Sequence, residues 1–210
     1  MENKKLTLLS ARFNLLDQIL PNLPVSLQDL DYAGNKIKVI PEYAFKSLPN
    51  LKGIALWMGR VEVLEENAFS GLTNLQYLDM SSNNITSNIT KTMFAGLTNL
   101  KSLVMYLNNV SYIEPSSFSS FKNVTEIWLA DNELKTLNPT VFDVKMMPHL
   151  SEVYIDGNPW YCDCHLKWLK QMSERHYSII QDVHLIVCNG PERLKNKSFD
   201  QLSADDFVCK

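Results

Sequence analysis

Apolar residues recur along the chain at one set of offsets, and the whole set returns after about 24 residues. Each copy has apolar residues at positions 1, 4 and 6, and most copies also have apolar residues at positions 11 and 14 and an asparagine at position 9. The first clear copy consists of Leu27, Leu30, Tyr32, Asn35, Ile37 and Ile40. Later copies begin at Leu51, Leu75, Leu100, Val124 and, truncated, Leu150, and a shorter leading unit begins at Leu6. Independent amphipathic helices do not explain so many positions recurring together, so the pattern predicts stacked repeats.

Each repeat predicts a short strand whose leucine points inward. One repeat cannot bury that face alone, so neighbouring repeats stack into a parallel sheet around a continuous core, which makes a curved solenoid. The asparagine at position 9 can satisfy backbone groups of the neighbouring coil. Gly59 replaces it in the second repeat, where we expect a local break that is tolerated because glycine adopts turn conformations without strain. A phenylalanine near position 19 predicts a stacked spine of Phe45, Phe69, Phe94, Phe118 and Phe142.

The bulk composition is that of an ordinary globular protein, with 45% apolar and 20% charged residues. A formal net charge of -3 gives no basic field that would attract nucleic acid, so nucleic-acid binding is disfavoured. No apolar stretch approaches the roughly 18 residues that span a bilayer, so we expect no membrane insertion of this fragment.

Cysteines and glycosylation sequons indicate the compartment. The four cysteines, Cys162, Cys164, Cys188 and Cys209, all lie in the last quarter of the chain. Five sequons predict N-glycosylation at Asn84, Asn88, Asn109, Asn123 and Asn196. An even number of cysteines together with five sequons favours an oxidising, glycosylating compartment, so we expect a secreted protein or a cell-surface ectodomain.

The segment from Asn158 to Leu169, which reads NPWYCDCHLKWL, is followed by Cys188, Pro191 and Cys209. It resembles the C-terminal cysteine cap of extracellular leucine-rich-repeat proteins, above all Slit-type guidance proteins, and also Toll-like receptors and variable lymphocyte receptors. The resemblance implies an α/β repeat fold, a leucine-rich-repeat solenoid with a concave parallel β-sheet and a disulfide-stapled C-terminal cap. It also implies the pairs Cys162–Cys188 and Cys164–Cys209, one of the three connectivities that four cysteines allow.

The resemblance divides the chain into three parts. Residues 1–26 are a partial N-terminal cap or a leading repeat without cysteines, residues 27–149 are five leucine-rich repeats, and residues 150–210 are the last truncated repeat with the cysteine cap. A zinc site that uses the cysteines with His165 or His184 is an alternative for the last part. The Cys-X-Cys spacing is shorter than the spacing that zinc sites usually have, so we expect no metal.

Side chains alternate across a strand, so residues at positions 3, 5, 7 and 8 of each repeat point onto the concave sheet. Their aromatic, apolar and acidic character predicts a protein partner with basic and apolar character, although the aromatics could instead serve strand packing alone. The candidate ligand-binding residues are Asp31, Trp57, Met58, Tyr77, Asp79, Val104, Tyr106, Leu107, Glu126, Trp128, Asp131, Glu152 and Tyr154. We predict one patch, centred on Trp57, Tyr77, Tyr106 and Trp128, which the sequons border without covering.

Catalytic motifs are missing from the sequence: it has no Gly-rich phosphate loop, no Gly-X-Ser-X-Gly and no His-Glu-X-X-His. The four histidines, His149, His165, His176 and His184, lie near the cap, so we expect no enzyme and no cofactor. The leading interpretation is an immune-type receptor ectodomain that binds protein or microbial-surface ligands on its concave face. The alternative is a Slit-like guidance, matrix or adhesion domain that binds a host receptor, and a homodimer made through one solenoid face is a third possibility.

Overall fold

A computed structural model describes residues 5–175 and 178–209, and His176 lies outside them. Seven short strands, one from each repeat, form a single parallel sheet, while β3 and β5 form a separate two-stranded pair. In chain order the strands are β1 (Leu8–Ser10), β2 (Asp29–Asp31), β3 (Val39–Ile40), β4 (Gly53–Ala55), β5 (Val63–Leu64), β6 (Tyr77–Asp79), β7 (Ser102–Val104), β8 (Glu126–Trp128) and β9 (Glu152–Tyr154). The solenoid predicted from the repeat is therefore confirmed.

The middle residue of each strand points into one continuous core. These residues align with one another across the sheet, and from Leu30 to Val153 each is at most 2% exposed. The predicted phenylalanine spine runs through the same core, with ring centroids 5.7 Å apart for Phe45 and Phe69 and 5.9 Å apart for Phe69 and Phe94. The return segments of the repeats are turns, apart from the 3-10 helix Pro139–Phe142.

The asparagines at position 9 form a buried ladder between coils. Asn83 is typical: its Nδ2 donates to the carbonyl oxygens of Leu56 at 2.8 Å and Met80 at 3.0 Å, and its Oδ1 accepts from the amide of Val61 at 2.9 Å. The corresponding bonds recur at Asn35, Asn108, Asn132 and Asn158. Because buried polar groups need partners, each asparagine ties its own turn to the preceding coil.

Gly59 interrupts this ladder, but the expected reason is wrong. The left-handed residue in that turn is Met58, with φ of 57°, and Gly59 itself is not in the left-handed region. A Cβ at Gly59 would lie 2.7 Å from Oδ1 of Asn83. The missing side chain therefore makes room for the ladder asparagine of the next repeat, and it does not relieve strain in its own turn.

The cysteine cap closes the C-terminal end of the core. It contains the parallel strand pair β10 (Trp160–Tyr161) and β11 (Cys188–Gly190), the helix α1 (Lys167–Ser173) and short 3-10 helices. Trp160 is fully buried, and its Nε1 donates to the carbonyl of Ile155 at 3.0 Å, which joins the cap to the last repeat. The disulfides are Cys162–Cys188 and Cys164–Cys209, the same pairs that the resemblance implies.

The N-terminal end of the solenoid is less covered. β1 pairs with β2 in parallel, in the same register as the other strands of the sheet. Its apolar side chains remain open to solvent, with Leu8 56% and Leu15 75% exposed. No helix of the described residues is long and apolar enough to cross a membrane.

Candidate ligand-binding site

Strand alternation places two side chains of each strand on the concave face. In β6, Leu78 is 1% exposed whereas Tyr77 beside it is 53% exposed. In β8, Ile127 is buried and its neighbours Glu126 and Trp128 are half-buried on the other face. Because neighbouring strands lie about 4.8 Å apart in register, equivalent positions of successive repeats form rows of adjacent side chains.

Three aromatic residues meet at the C-terminal half of this face, and we call Tyr106, Trp128 and Tyr154 the aromatic cluster. Trp128 and Tyr154 are register partners on β8 and β9, and their rings stack with centroids 3.7 Å apart and planes inclined by 16°. The ring of Tyr106, which follows β7, lies 6.4 Å from Trp128 at an angle of 54°. All three side chains are half-buried, so they form a rigid surface that solvent still reaches.

Two carboxylates are held against the aromatic cluster. Nε1 of Trp128 donates to Oε2 of Glu126 at 3.1 Å, and the hydroxyl of Tyr154 donates to Oε2 of Glu152 at 3.0 Å. Each glutamate stands two residues before its aromatic partner on the same strand, so both side chains lie on the same face. The polar atoms of the rings therefore position acidic groups at the edges of the rings.

Asp131, Asp156 and Asp182 lie at the same end of the sheet. Asp131 and Asp156 are in adjacent turns, where the amide of Asp131 donates to the carbonyl of Asp156 at 2.9 Å. Asp182 follows the cap segment that pairs with β9 through Ile180. We call the following five carboxylates the acidic rim: Glu126, Asp131, Glu152, Asp156 and Asp182. Within the described ranges, no lysine or arginine forms an ion pair with any of them.

The acidic rim shifts the titration of its own members and neighbours. The pKa of Asp156 is raised, first because burial disfavours the charged form and then because Asp131 and Asp182 are negative. The pKa of Tyr154 is also raised, first by burial and then by the hydrogen bond to Glu152 and its charge. Burial is the largest cause of both shifts, the neighbouring carboxylates add to it, and His184 acts on Asp156 in the opposite direction.

A second group lies at the N-terminal half of the face. The ring of Trp57 contacts Phe13 edge-on, with centroids 5.7 Å apart. Beside them Asp31 is paired with Arg12, with 3.4 Å between Nε and Oδ2, so its charge is compensated. Sequence analysis missed Phe13 and Arg12, although they occupy positions 8 and 7 of the leading unit and could have been found by extending the repeat offsets to it.

In the structure the residues of the predicted patch fall into two aromatic groups. Position 7 between Trp57 and Tyr106 is Ser81, which is buried. Asp79 turns inward on this serine, because its Oδ1 accepts from the amide and the hydroxyl of Ser81 at 2.9 and 2.7 Å. Tyr77 is exposed between the two groups. The repeat between the two groups has a small residue at position 7, and its aspartate bonds to that residue. It separates an aromatic group whose aspartate is paired with arginine from one that lies beside the acidic rim.

The remaining predicted residues lie around these groups. Val104 is half-buried in the same row as Trp128. Met58, Leu107 and Asp131 occupy position 8, where the backbone is left-handed with φ of 57°, 55° and 52°. Met58 is 59% exposed and Leu107 48%, so both remain available for contact.

The five sequon asparagines are all exposed, but they are not equivalent. Nδ2 of Asn123 donates to the carbonyl of Thr98 at 2.8 Å. Asn50, Asn74 and Asn99 make the same bond in their repeats, which gives a second asparagine ladder on the flank. A glycan on Asn123 would have to be accommodated within that ladder.

Cys164, His165 and Cys209 bring three metal-ligand atoms within 4.8 Å of one another. The two sulfur atoms are bonded to each other, so neither is a thiolate that could bind zinc. Nδ1 of His165 lies 3.1 Å from Oδ1 of Asp163, and both residues belong to the cap and not to the concave face. The structure thus gives the histidine a partner in the cap.

Comparisons with known proteins agree with this architecture. Residues 25–158 match six copies of the BspA type leucine-rich-repeat region. Trophoblast glycoprotein of Macaca fascicularis is 30% identical over 174 residues, which cover 79% of this chain and 33% of that protein. A leucine-rich repeat and fibronectin type III domain-containing protein 1 of Danio rerio is 28% identical over 88% of this chain and 24% of its own length.

Immunoglobulin superfamily member 10 of Homo sapiens is 37% identical over 94 residues, which are 40% of this chain and 3% of that protein. The chain spans a third or less of the length of these relatives. The crystal structure of human trophoblast glycoprotein superimposes with a TM-score of 0.50 at 22% identity, over 92% of each chain, and so shares the fold. With six matched repeats over more than half of its residues, the chain belongs to the leucine-rich-repeat family.

Proposed function

We propose that the chain is a non-catalytic extracellular recognition module that binds a protein ligand through the aromatic cluster and the acidic rim. The observation that carries the proposal is a half-exposed group of three aromatic rings beside carboxylates that form no ion pair with any lysine or arginine of the described residues. Aromatic side chains supply most of the energy in many protein interfaces, because they bury a large area with little loss of conformational entropy. Two disulfides and a match to a protein described as a glycoprotein support the extracellular setting.

The charge of the site separates the finer alternatives. Microbial surface glycolipids and wall polymers carry phosphate groups, which the acidic rim repels. An immune-type receptor for such ligands is therefore less favoured than a receptor, guidance or adhesion domain that binds a protein with basic and apolar residues. A homodimer through the aromatic cluster is disfavoured for the same reason, since two acidic surfaces would face each other.

A binding screen with matched tyrosine variants tests the proposal. The glycosylated, secreted chain is screened against an array of purified extracellular domains, and each ligand is then titrated by surface plasmon resonance. We expect Trp128→Ala and Tyr106→Ala to weaken binding by about tenfold or more, because each removes a buried aromatic contact. Tyr112→Ala is the control. Tyr112 is 49% exposed and lies at position 13 of its repeat, outside the concave positions 3, 5, 7 and 8, so its loss should change the affinity by less than about twofold.

Circular dichroism establishes that each variant is folded. Unchanged affinity of both concave variants for every ligand found would refute the concave site. Binding to vesicles that contain phosphorylated glycolipid, with loss in Trp128→Ala and no protein ligand, would instead support the immune-type role and contradict the proposal.

A further inference from the structure

We propose that the aromatic cluster is a guanidinium site, which holds an arginine side chain of the protein ligand between its ring faces and the carboxylates of Glu126 and Glu152. This inference rests on the proposed function, and it specifies the chemistry of the ligand at that site.

The ring geometry provides the first argument. Trp128 and Tyr154 are fixed against each other at 3.7 Å, and Tyr106 adds a third ring at 6.4 Å with its plane inclined by 54°. Ring faces carry negative charge density and attract a cation that lies within about 6 Å of the centroid. Because the rings are held by stacking and by two hydrogen bonds, their arrangement exists before any ligand arrives.

The carboxylates provide the second argument. Each glutamate uses Oε2 as acceptor for its ring partner, and a carboxylate has further lone pairs on both oxygens. Glu126 and Glu152 are register partners on adjacent strands, so their Cα atoms are about one strand spacing apart and both side chains extend over the same face. The N–H groups of a guanidinium are spread over a plane of similar extent, which suits it to two neighbouring acceptors.

The charge balance provides the third argument. The acidic rim has five carboxylates, and the ion pairs of the described residues include none of them. At the other end of the face, Asp31 is already paired with Arg12 and accepts from Ser10 at 3.3 Å. Among the described residues, the chain therefore pairs its concave charge with its own arginine at one end, whereas at the other end His184 acts on Asp156 and no lysine or arginine pairs with the rim.

Arginine suits this site better than lysine. A guanidinium is planar and weakly hydrated, so it can stack on a ring while donating to carboxylates in its own plane. An ammonium group is strongly hydrated and donates in three directions, which prevents it from using both surfaces at once. A bound calcium ion is the alternative cation, and it would need six or more oxygen ligands around one point.

Three blocked tripeptides serve as probes: N-acetyl-Leu-X-Leu-amide, with arginine, lysine or citrulline as X. Citrulline has nearly the shape of arginine but no charge. Each probe is titrated into the isotopically labelled chain, and binding is followed at the indole N–H signal of Trp128. We expect the arginine peptide to bind about tenfold more tightly than the citrulline peptide and more tightly than the lysine peptide.

Charge-neutralising variants locate the effect. Glu126→Gln with Glu152→Gln should reduce the affinity for the arginine peptide by about fivefold or more, and by more than it reduces the affinity for the citrulline peptide. The control is Glu62→Gln with Glu65→Gln, which removes the same amount of negative charge outside the concave strands. It should reduce the affinity for the arginine peptide no more than screening of long-range charge by added salt does. The titrations are repeated with calcium and with a chelator.

The outcomes distinguish this inference from the proposed function. Equal affinity for the arginine and citrulline peptides, or an equal loss in the control variant, refutes the guanidinium site. If Trp128→Ala still weakens a protein ligand in that case, the proposed function stands without it. A shift of the indole signal by calcium alone, competing with the peptide, would also overturn the guanidinium assignment.

Discussion

At the scale of single residues, the buried asparagines do what no apolar residue could do at the same place. Asn132 is 4% exposed, and its amide donates to the carbonyls of Met105 at 3.0 Å and Leu129 at 3.2 Å while its Oδ1 accepts from Val110 at 3.0 Å. Removing this side chain leaves the buried amide of Val110 without a partner, whereas the carbonyls of Met105 and Leu129 keep the bonds from Asn108 and Asn158. Such groups cost about 1–3 kcal/mol each when they cannot reach water.

We therefore predict that Asn132→Ala lowers the free energy of unfolding by about 1–3 kcal/mol, measured by urea denaturation. Asn189→Ala is the control, because Asn189 is exposed and is not a sequon asparagine, and its change should stay within about 0.5 kcal/mol. A loss of less than about 1 kcal/mol in Asn132→Ala would show that water replaces the amide inside the ladder.

Residue identity alone did not predict which turn positions are left-handed. Gly34 and Gly157 at position 8 suggest it, but the same backbone is adopted by Met58, Ser82 and Leu107. The repeat imposes this conformation through the hydrogen bonds of the ladder, which outweigh the preference of each side chain for negative φ. That is why the role of Gly59 could be assigned only once the neighbouring Asn83 was located in space.

At the scale of elements, the strands and the core could be predicted from the repeat offsets, because each inward position is determined within its own repeat. For the two aromatic groups of the concave face, the repeat offsets predict only which residues occupy equivalent positions of neighbouring strands, and not which side chains touch. Whether Trp128 stacks on Tyr154, and whether Trp57 contacts Phe13, depends on the side-chain conformations of two repeats at once. Asp182 enters the acidic rim from the cap, to which the repeat offsets do not apply.

The two disulfides of the cap differ in accessibility. Cys162 and Cys188 are fully buried, whereas Cys164 and Cys209 are exposed, with Nδ1 of His165 3.8 Å from Sγ of Cys209. Thiol–disulfide exchange requires in-line approach of a thiolate to sulfur. We predict that dithiothreitol reduces Cys164–Cys209 at least about tenfold faster than Cys162–Cys188, because only the first pair admits the attacking thiolate.

Timed reduction followed by alkylation and mass spectrometry measures both rates in the folded chain. The rate of reduction of Cys164–Cys209 is also measured in the His165→Ala variant. An unchanged rate there shows that solvent access to the sulfur atoms, and not the imidazole beside the departing thiolate, makes this disulfide the faster one. Simultaneous labelling of all four cysteines would mean that the cap opens as one unit before either bond is reduced.

At the scale of the whole molecule, the concave face holds charge that folding does not need. A recognition surface that carries unpaired carboxylates next to one another sacrifices stability for binding. Asp156 is the clearest case, because its pKa in the folded chain is raised above its ordinary value of 3.8 by burial, Asp131 and Asp182. Asp206 in the cap is the opposite case, since the hydrogen bond from the amide of Ser203 at 2.8 Å lowers its pKa.

These opposite shifts predict opposite effects of pH. A raised folded pKa means that the folded chain binds the Asp156 proton more tightly than the unfolded chain, so this contribution is present below pH 3.8 and is lost as pH rises through the folded pKa. Asp156→Asn should therefore raise the melting temperature at pH 7 and not at pH 3. Asp206→Asn should lower it at pH 7, because the contribution of Asp206 exists above its ordinary pKa and disappears as pH falls.

Calorimetric melting curves of both variants at several pH values provide the test, with ligand affinity measured in parallel. If the acidic rim exists for recognition, Asp156→Asn is more stable at neutral pH and binds the protein ligand less tightly, whereas Asp206→Asn is less stable and binds it unchanged. A variant of Asp156 that gains stability and keeps full affinity would place the ligand contact on the aromatic cluster alone. A loss of stability at pH 7 would mean that the Asp156 carboxylate supports its turn, and the repulsion within the rim would then be too weak to matter.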